Sequence, residues 1–222
     1  AMRVATPSRT IVIDVDLDGD LDLVMVPRGE TVLRMFRNDG TGAFTGPSDI
    51  SVGAVTDDVA AADMNHDGWP DLVCVSGTTN TLTVLTNQNG ASFHAGLSSR
   101  TGGTGSIGLL VHDWNIDGVP EVSVINVSSR TVSVFVNNGS GSLTRQAIVS
   151  LPLTPVDWAV VDWDRDGDLD ILLLNELTTE MTLLKNRSGA PRIAVDRDTC
   201  AFGGVAPGST RTFALKVKNV GG

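Results

Sequence analysis

Five aspartates stand within nine residues at Asp14-Val15-Asp16-Leu17-Asp18-Gly19-Asp20-Leu21-Asp22. Carboxylates packed this closely repel one another unless a cation sits among them, and an all-oxygen set selects a hard ion such as Ca²⁺. Acids at positions 1, 3 and 5 can curl round such an ion if a glycine at position 6 permits the turn and position 7 offers a carbonyl. Asp14, Asp16, Asp18 and Gly19 fill those slots, and Asp22 adds an acid at position 9. Helix-loop-helix calcium sites close instead on a glutamate at position 12, where this chain has Met25. The flanks, Thr10 to Ile13 and Leu21 to Val26, read as strands.

The loop recurs. Asp63-Met64-Asn65-His66-Asp67-Gly68-Trp69-Pro70-Asp71, Asp113-Trp114-Asn115-Ile116-Asp117-Gly118-Val119-Pro120-Glu121 and Asp162-Trp163-Asp164-Arg165-Asp166-Gly167-Asp168-Leu169-Asp170 follow at intervals of 49, 50 and 49 residues. That period marks propeller blades or solenoid turns. An asparagine stands 24 residues after each first aspartate, at Asn38, Asn87, Asn137 and Asn186, and a glycine follows within three residues each time. Unrelated acidic turns would not hold this register.

The 222 residues are ample for a core, and 41% hydrophobic content suits a globular chain. No apolar run reaches transmembrane length, and no charged-then-apolar leader is present, so a secretory signal is either removed or outside this sequence. Lys plus Arg total 16 against 26 Asp plus Glu, and the net charge of −10 argues against nucleic acid or anionic membrane as partner. Four Ca²⁺ ions would bring −10 to −2. Of the two cysteines, Cys74 shares the register of Met25, Val124 and Leu173, which makes it a core residue rather than half of a bridge to Cys200.

Each unit reads as four short strands. The first enters the loop (10–15, 59–64, 107–114, 158–163), and the second leaves it as a nearly continuous apolar run, as a strand buried on both faces does. The third alternates, with polar Arg34, Thr83, Ser133 and Thr182 between apolar neighbours, which predicts a half-buried strand. It ends in Asn-Gly-rich turns. A fourth strand starts near Phe44, Phe93 and Leu143, and the fourth unit lacks one. Repeated four-stranded units of about 50 residues describe an all-β propeller.

The Asp-x-Asp/Asn-x-Asp-Gly-x-x-Asp/Glu loop, the Asp-Leu-Val strand after it and the Asn-x-Gly-x-Gly-x-Phe turn resemble FG-GAP/VCBS repeats, the calcium-loop blades of integrin alpha-chain propellers and of many secreted bacterial proteins and fungal lectins. The resemblance covers residues 10 to about 190. It implies side-chain ligands Asp14, Asp16, Asp18 and Asp22 with the Asp20 carbonyl, and Asp63, Asn65, Asp67 and Asp71 with the Trp69 carbonyl. In the third loop it implies Asp113, Asn115, Asp117 and Glu121 with Val119, and in the fourth Asp162, Asp164, Asp166 and Asp170 with Asp168. Up to four Ca²⁺ ions would be structural, linking folding to metal. The third loop departs most from the pattern, so loss of Glu121 is expected to matter least and loss of Asp166 strongly.

These readings place propeller blades over 1–190, with repeats at about 10–58, 59–106, 107–156 and 157–190. Residues 191–222 resemble the opening strands of a Hydin-type immunoglobulin-like domain, through Phe202-Gly203-Gly204-Val205 and Asn219-Val220-Gly221. Met2 to Thr6 align with Ser51 to Val55, the end of a fourth strand. That strand either closes a four-bladed ring or belongs to a preceding blade of a larger one, and self-association to complete a ring is a further expectation.

Trp69, Trp114 and Trp163 lie in the loops, where they could stack on sugar rings or pack between blades. His66, His94 and His112 have no partners at metal-ligand spacing, and the glycine-rich Thr101 to Gly108 opens no helix that would cradle phosphate. Each carboxylate group has a role as an ion ligand, which leaves none for acid–base work. The expectation is therefore a secreted or cell-surface binding or adhesion module for a glycan or an extracellular protein. It is not expected to be an enzyme, nor to insert in a membrane or bind nucleic acid. The alternative is an accessory domain of a secreted carbohydrate-active or other hydrolytic enzyme.

Overall fold

The computed structural model describes residues 7–96, 98–176, 180–186, 193–194 and 200–201. Blade 1 holds β1 (Pro7–Ile13), β2 (Asp22–Pro27), β3 (Val32–Asn38) and β4 (Phe44–Ser51). Blade 2 holds β5 (Asp58–Ala62), β6 (Asp71–Ser76), β7 (Thr81–Asn87), β8 (Phe93–Ala95) and β9 (Ser99–Arg100). In blade 3 are β10 (Ser106–His112), β11 (Glu121–Asn126), β12 (Thr131–Asn137) and β13 (Leu143–Ser150). Blade 4 contains β14 (Pro155–Val161), β15 (Asp170–Asn175), β16 (Glu180–Asn186), β17 (Ile193–Ala194) and β18 (Cys200–Ala201). All pairings are antiparallel between consecutive strands, with β8 and β9 both on β7, and β17 and β18 both on β16. The fold is an all-β propeller arrangement of four-stranded blades.

The fourth unit therefore does have an outer strand, in two pieces, just as blade 2 has. Asn186 pairs with Ile193 and Met181 with Cys200, matching Asn87 with Phe93 and Leu82 with Ser99. The signal was present in the chain, because Ile193 follows Asn186 at nearly the interval that separates Phe93 from Asn87. The fourth sheet thus reaches past the boundary drawn at residue 190. Otherwise the expected immunoglobulin-like segment, and the Met2 to Thr6 strand, lie outside the described residues.

Apolar residues of adjacent blades form three cores. Val15, Val24 and Val26 of blade 1 meet Leu72, Cys74 and Leu85 of blade 2. Met64, Val73 and Val75 of blade 2 meet Val122, Val124 and Phe135 of blade 3. Trp114, Ile125 and Val132 of blade 3 meet Ile171, Leu173 and Leu184 of blade 4. Gly108 makes room for the last junction, since a Cβ there would collide with the Trp158 ring.

Blades 2 and 3 lie between two neighbours and have no solvent face, which corrects the half-buried reading of their third strands. Thr83, Ser133 and Thr182 are buried. Their hydroxyls are satisfied by Ser98 at 2.7 Å, by the Asn126 amide at 2.9 Å and by the Asn175 amide at 3.1 Å. Cys74 is buried and free, as its register implied.

Asp58, in blade 2, ties its two neighbours together. It pairs with Arg9 of blade 1 at 2.9 Å and accepts the Leu109 N–H of blade 3 at 3.0 Å. Burial raises its pKa above the usual carboxylate range, although the Leu109 N–H and Arg9 both pull it down. A raised pKa favours the protonated acid in the folded chain, so this contribution is full below the unfolded value and is lost as pH rises through the folded one. Asp58→Asn has no proton to lose and can still accept from Leu109. Its melting temperature relative to wild type should therefore rise between about pH 4 and pH 7, and a difference that stays flat in thermal melts across that range would contradict the assignment.

Candidate functional site

Every acidic loop joins the first and second strands of its blade and has the same internal wiring. The position-1 carboxylate accepts N–H groups from positions 5 and 6. Asp14 takes Asp18 and Gly19 (3.2 and 3.0 Å), Asp63 takes Asp67 and Gly68 (3.2 and 2.9 Å), and Asp113 takes Asp117 and Gly118 (3.1 and 2.8 Å). In the fourth loop Gly167 donates to Asp162 at 3.3 Å. Position 5 then caps position 7, with Asp20, Trp69, Val119 and Asp168 donating to Asp18, Asp67, Asp117 and Asp166 at 2.8–2.9 Å.

Position 9 is buried in all four loops. Asp22, Asp71 and Asp170 each accept two backbone N–H groups. One comes from position 2 (Val15, Met64, Trp163; 3.2, 3.0 and 3.0 Å) and the other from the third-strand asparagine (Asn38, Asn87, Asn186; 2.8, 2.7 and 2.8 Å). Glu121, one methylene longer, accepts Trp114 N–H at 2.9 Å and the Asn115 amide at 3.4 Å. Burial lifts the pKa of Asp71 and Asp170, and it pushes Glu121 up to about 7, with the nearby Asp117 and Asp113 charges adding to the rise.

The tight curl forces position 4 into the left-handed region, with φ of 55° at Leu17, 58° at His66, 60° at Ile116 and 61° at Arg165. Non-glycine residues resist that conformation by about 1–2 kcal/mol, and Ile116 is β-branched besides. This strain was not read from the sequence, where position 4 looks merely variable.

Oxygens converge where a cation would sit. Ligand atoms of Asp14, Asp16 and Asp18 lie within 4.8 Å of one another, as do those of Asp162, Asp164 and Asp170. Three buried carboxylate oxygens in these loops have no hydrogen-bond partner: Asp16 Oδ1, Asp162 Oδ1 and Asp168 Oδ2. Buried acceptors left open are costly, and an all-oxygen donor set with free lone pairs fits a hard divalent ion. Asp20, Trp69, Val119 and Asp168 occupy position 7, whose carbonyl completes such a set.

Position 3 differs between loops, and its neighbour on the third strand differs with it. Asp16 is paired with the Arg37 guanidinium, and Asp164 lies 3.8 Å from Lys185 Nζ. Asn65 and Asn115 instead donate within the loop to Asp67 and Asp117, both at 2.9 Å, and the residues in the register of Arg37 are Thr86 and Val136. An extra acid is thus matched by an extra cation. The coupling escaped sequence reading because one position lies in the loop and the other on the third strand, 21 residues further on.

The loops also sit against the next blade. Asn87 Nδ2 donates to the Val15 carbonyl (2.9 Å), Asn137 Nδ2 to Met64 (2.8 Å) and Asn186 Nδ2 to Trp114 (2.6 Å), each reaching position 2 of the preceding loop. Of the three loop tryptophans, Trp114 is only 2% exposed, within the core between blades 3 and 4, so its ring offers no face for a sugar. Its edge meets His112 at 5.5 Å. Trp69 is half-buried against Gly90 of its own blade, and Trp163 is half-buried in the loop of blade 4.

A cleft of about 300 Å³ opens where the outer strand of blade 2 is interrupted. Leu82, Val84 and Leu143 give it apolar walls, and Thr86, Ser99 and Ser142 add hydroxyl-bearing side chains.

Three overlapping segments, 14–74, 63–124 and 113–173, match the family model described as FG-GAP-like repeat. No curated protein matches significantly. Among solved structures, BBS1N in complex with ARL6DN superposes with a TM-score of 0.64 at 11% identity, over 88% of this chain and 57% of that one. The Pseudomonas aeruginosa periplasmic gluconolactonase PpgL gives 0.61 at 14% identity, over 86% and 53%. A protein from Lactobacillus plantarum gives 0.56 at 16%, over 81% and 51%. The chain thus spans just over half the length of these structures, and the likeness is one of fold.

The position-9 wiring argues for a larger effect of Glu121 loss than its departure from the pattern suggests. Glu121→Ala leaves the buried Trp114 N–H unpaired and should destabilise the calcium-free chain by about 1–3 kcal/mol. Glu121→Gln keeps an acceptor and should melt near wild type in chelator. An alanine variant as stable as the glutamine variant would refute this account.

Proposed function

We propose, for a chain that belongs to the FG-GAP-like repeat family, that it is a calcium-clamped propeller module whose work is binding rather than turnover. The observation that carries the calcium assignment is the set of unpaired, buried carboxylate oxygens on Asp16, Asp162 and Asp168. Asp14, Asp16, Asp18 and Asp22 would hold one ion with the Asp20 carbonyl, and Asp162, Asp164, Asp166 and Asp170 another with Asp168. Asp63, Asn65, Asp67 and Asp71, and Asp113, Asn115, Asp117 and Glu121, would hold the remaining two. When bound, Ca²⁺ neutralises the loop carboxylates and fixes the strand-to-strand turn. Sites of this kind are filled at the calcium levels outside cells, which supports a secreted or cell-surface setting.

The ligand assigned is a glycan or an extracellular protein. The cleft between blades 2 and 3 supports this, because apolar walls edged with hydroxyls suit a sugar ring or a short peptide loop. An accessory domain in a secreted hydrolytic enzyme is the second reading, and one of the matched structures is a periplasmic gluconolactonase. The carboxylates that could do acid–base chemistry here are wired into loop turns, which favours binding.

Titrating Ca²⁺ into chelator-treated protein should raise the melting temperature, each filled site adding about 2.7 kcal/mol at a hundredfold excess over its Kd. An unchanged melt would remove the metal assignment. Glycan and protein arrays probed in calcium should yield a ligand whose binding is lost in Ser142→Arg, which crowds the cleft. Turnover of a glycoside or ester substrate by the purified chain would instead favour the enzymatic reading.

A further inference from the structure

In loops 2 and 3 the position-3 side chain is folded back into its own loop. Asn65 and Asn115 accept the N–H of position 5 at 3.1 and 3.0 Å, and their amides donate to that residue's carboxylate. Position 3 of loop 1 is held from outside. One oxygen of Asp16 is paired with the Arg37 guanidinium, while the other, Oδ1, is buried and takes no hydrogen bond. The Asp18 N–H goes to Asp14 instead.

Arg37 has a second hold, since its other terminal nitrogen donates to the Gly90 carbonyl of blade 2. Gly90 is packed closely there: a Cβ on it would stand 2.6 Å from Asp16 Cβ and 3.0 Å from the Trp69 ring. One guanidinium thus spans a loop carboxylate and the turn of the next blade, and its planar fork suits both bonds. In blade 4, Lys185 stands in the same register, with Nζ 3.8 Å from Asp164. Among the described residues, the loops in which three acids bring ligand oxygens within 4.8 Å of one another are loops 1 and 4, the two that carry this cation.

We propose that Arg37 is a tethered cation that holds Asp16 among its neighbours when the first loop is empty and weakens calcium binding there. The inference rests on the calcium reading of the loops. In the empty loop Asp14, Asp16 and Asp18 repel one another, and the guanidinium offsets the acid it touches. The same positive charge, anchored on Gly90, stands beside the oxygens that an ion would take. Asp16 Oδ1 is open to serve as a ligand while its partner oxygen stays paired. Arg37 therefore stabilises the empty loop and opposes its filling, which makes the fold of blade 1 less dependent on the ion. Lys185 does the same at the fourth loop.

Competition with a chromophoric chelator measures the product of all the calcium association constants, so a change at one loop is read without assigning the sites. Arg37→Thr, which brings in the residue that blade 2 carries in this register, should raise that product by about 3- to 10-fold. It should also lower the melting temperature in chelator. Opposite signs are the signature, because loss of a merely structural contact lowers stability without raising affinity. Arg37→Lys, the residue of blade 4, should return the affinity toward the wild-type value. Asp16→Asn should weaken calcium binding less in the Arg37→Thr background than in the wild type, where it strands the guanidinium unpaired. Lys185→Thr repeats the measurement at the fourth loop should Arg37→Thr misfold. A product that stays unchanged or falls in the folded threonine variant overturns the proposal and leaves the calcium reading standing. Absence of calcium binding by the wild-type chain overturns both.

Discussion

A carboxylate buried at the ninth position of each loop holds a blade's geometry together. Burying such a group without partners is prohibitive, and here it is surrounded by backbone donors. In blades 1, 2 and 4 one oxygen receives the N–H at the start of the loop and the other the N–H that ends the third strand. One group thereby fixes where the first strand releases the chain and how far the third strand runs. The left-handed residue at position 4 persists because the loop around it is over-determined. Blade 3 has the same arrangement on a longer stem, and Glu121 exchanges the strand N–H for the Asn115 amide.

Charge is distributed with equal regularity. Loops 2 and 3 carry three acids at the ligand positions, and loops 1 and 4 carry four with Arg37 or Lys185 beside the additional one. At positions 1, 3, 5 and 9 the formal charge, counted with its paired cation, is the same throughout, while Asp20 and Asp168 at position 7 add an acid to loops 1 and 4. Asp16 and Arg37 keep 31% and 26% of their side chains exposed, so the pairing is screened as a near-surface pair is.

Much of the fold was legible because it is written four times. Aspartate and glycine spacing placed the loops, the apolar runs placed the inner strands, and the register of Cys74 placed it in a core. What was missed involves relations between blades. Thr83 and Ser133 look like solvent-facing strand residues until a second sheet covers them, and no alternation rule for a single strand contains that sheet. Trp114 looks like a rim aromatic but is the plug of a junction. The asparagines read as turn residues, and their carboxamides' reach of more than 70 residues back along the chain has no local signature. Glu121 looks like the weak member because it departs from the pattern, yet it is as buried as the aspartates and holds the Trp114 N–H.

That backward reach also gives the structure a direction in time. Each loop presents its position-2 carbonyl and apolar plug, and the group that caps them comes from about 70 residues further along the chain. A polypeptide leaving the ribosome thus exposes each loop before its cap exists. Every newly synthesised blade finishes its predecessor, so the molecule matures one repeat behind its own growing end.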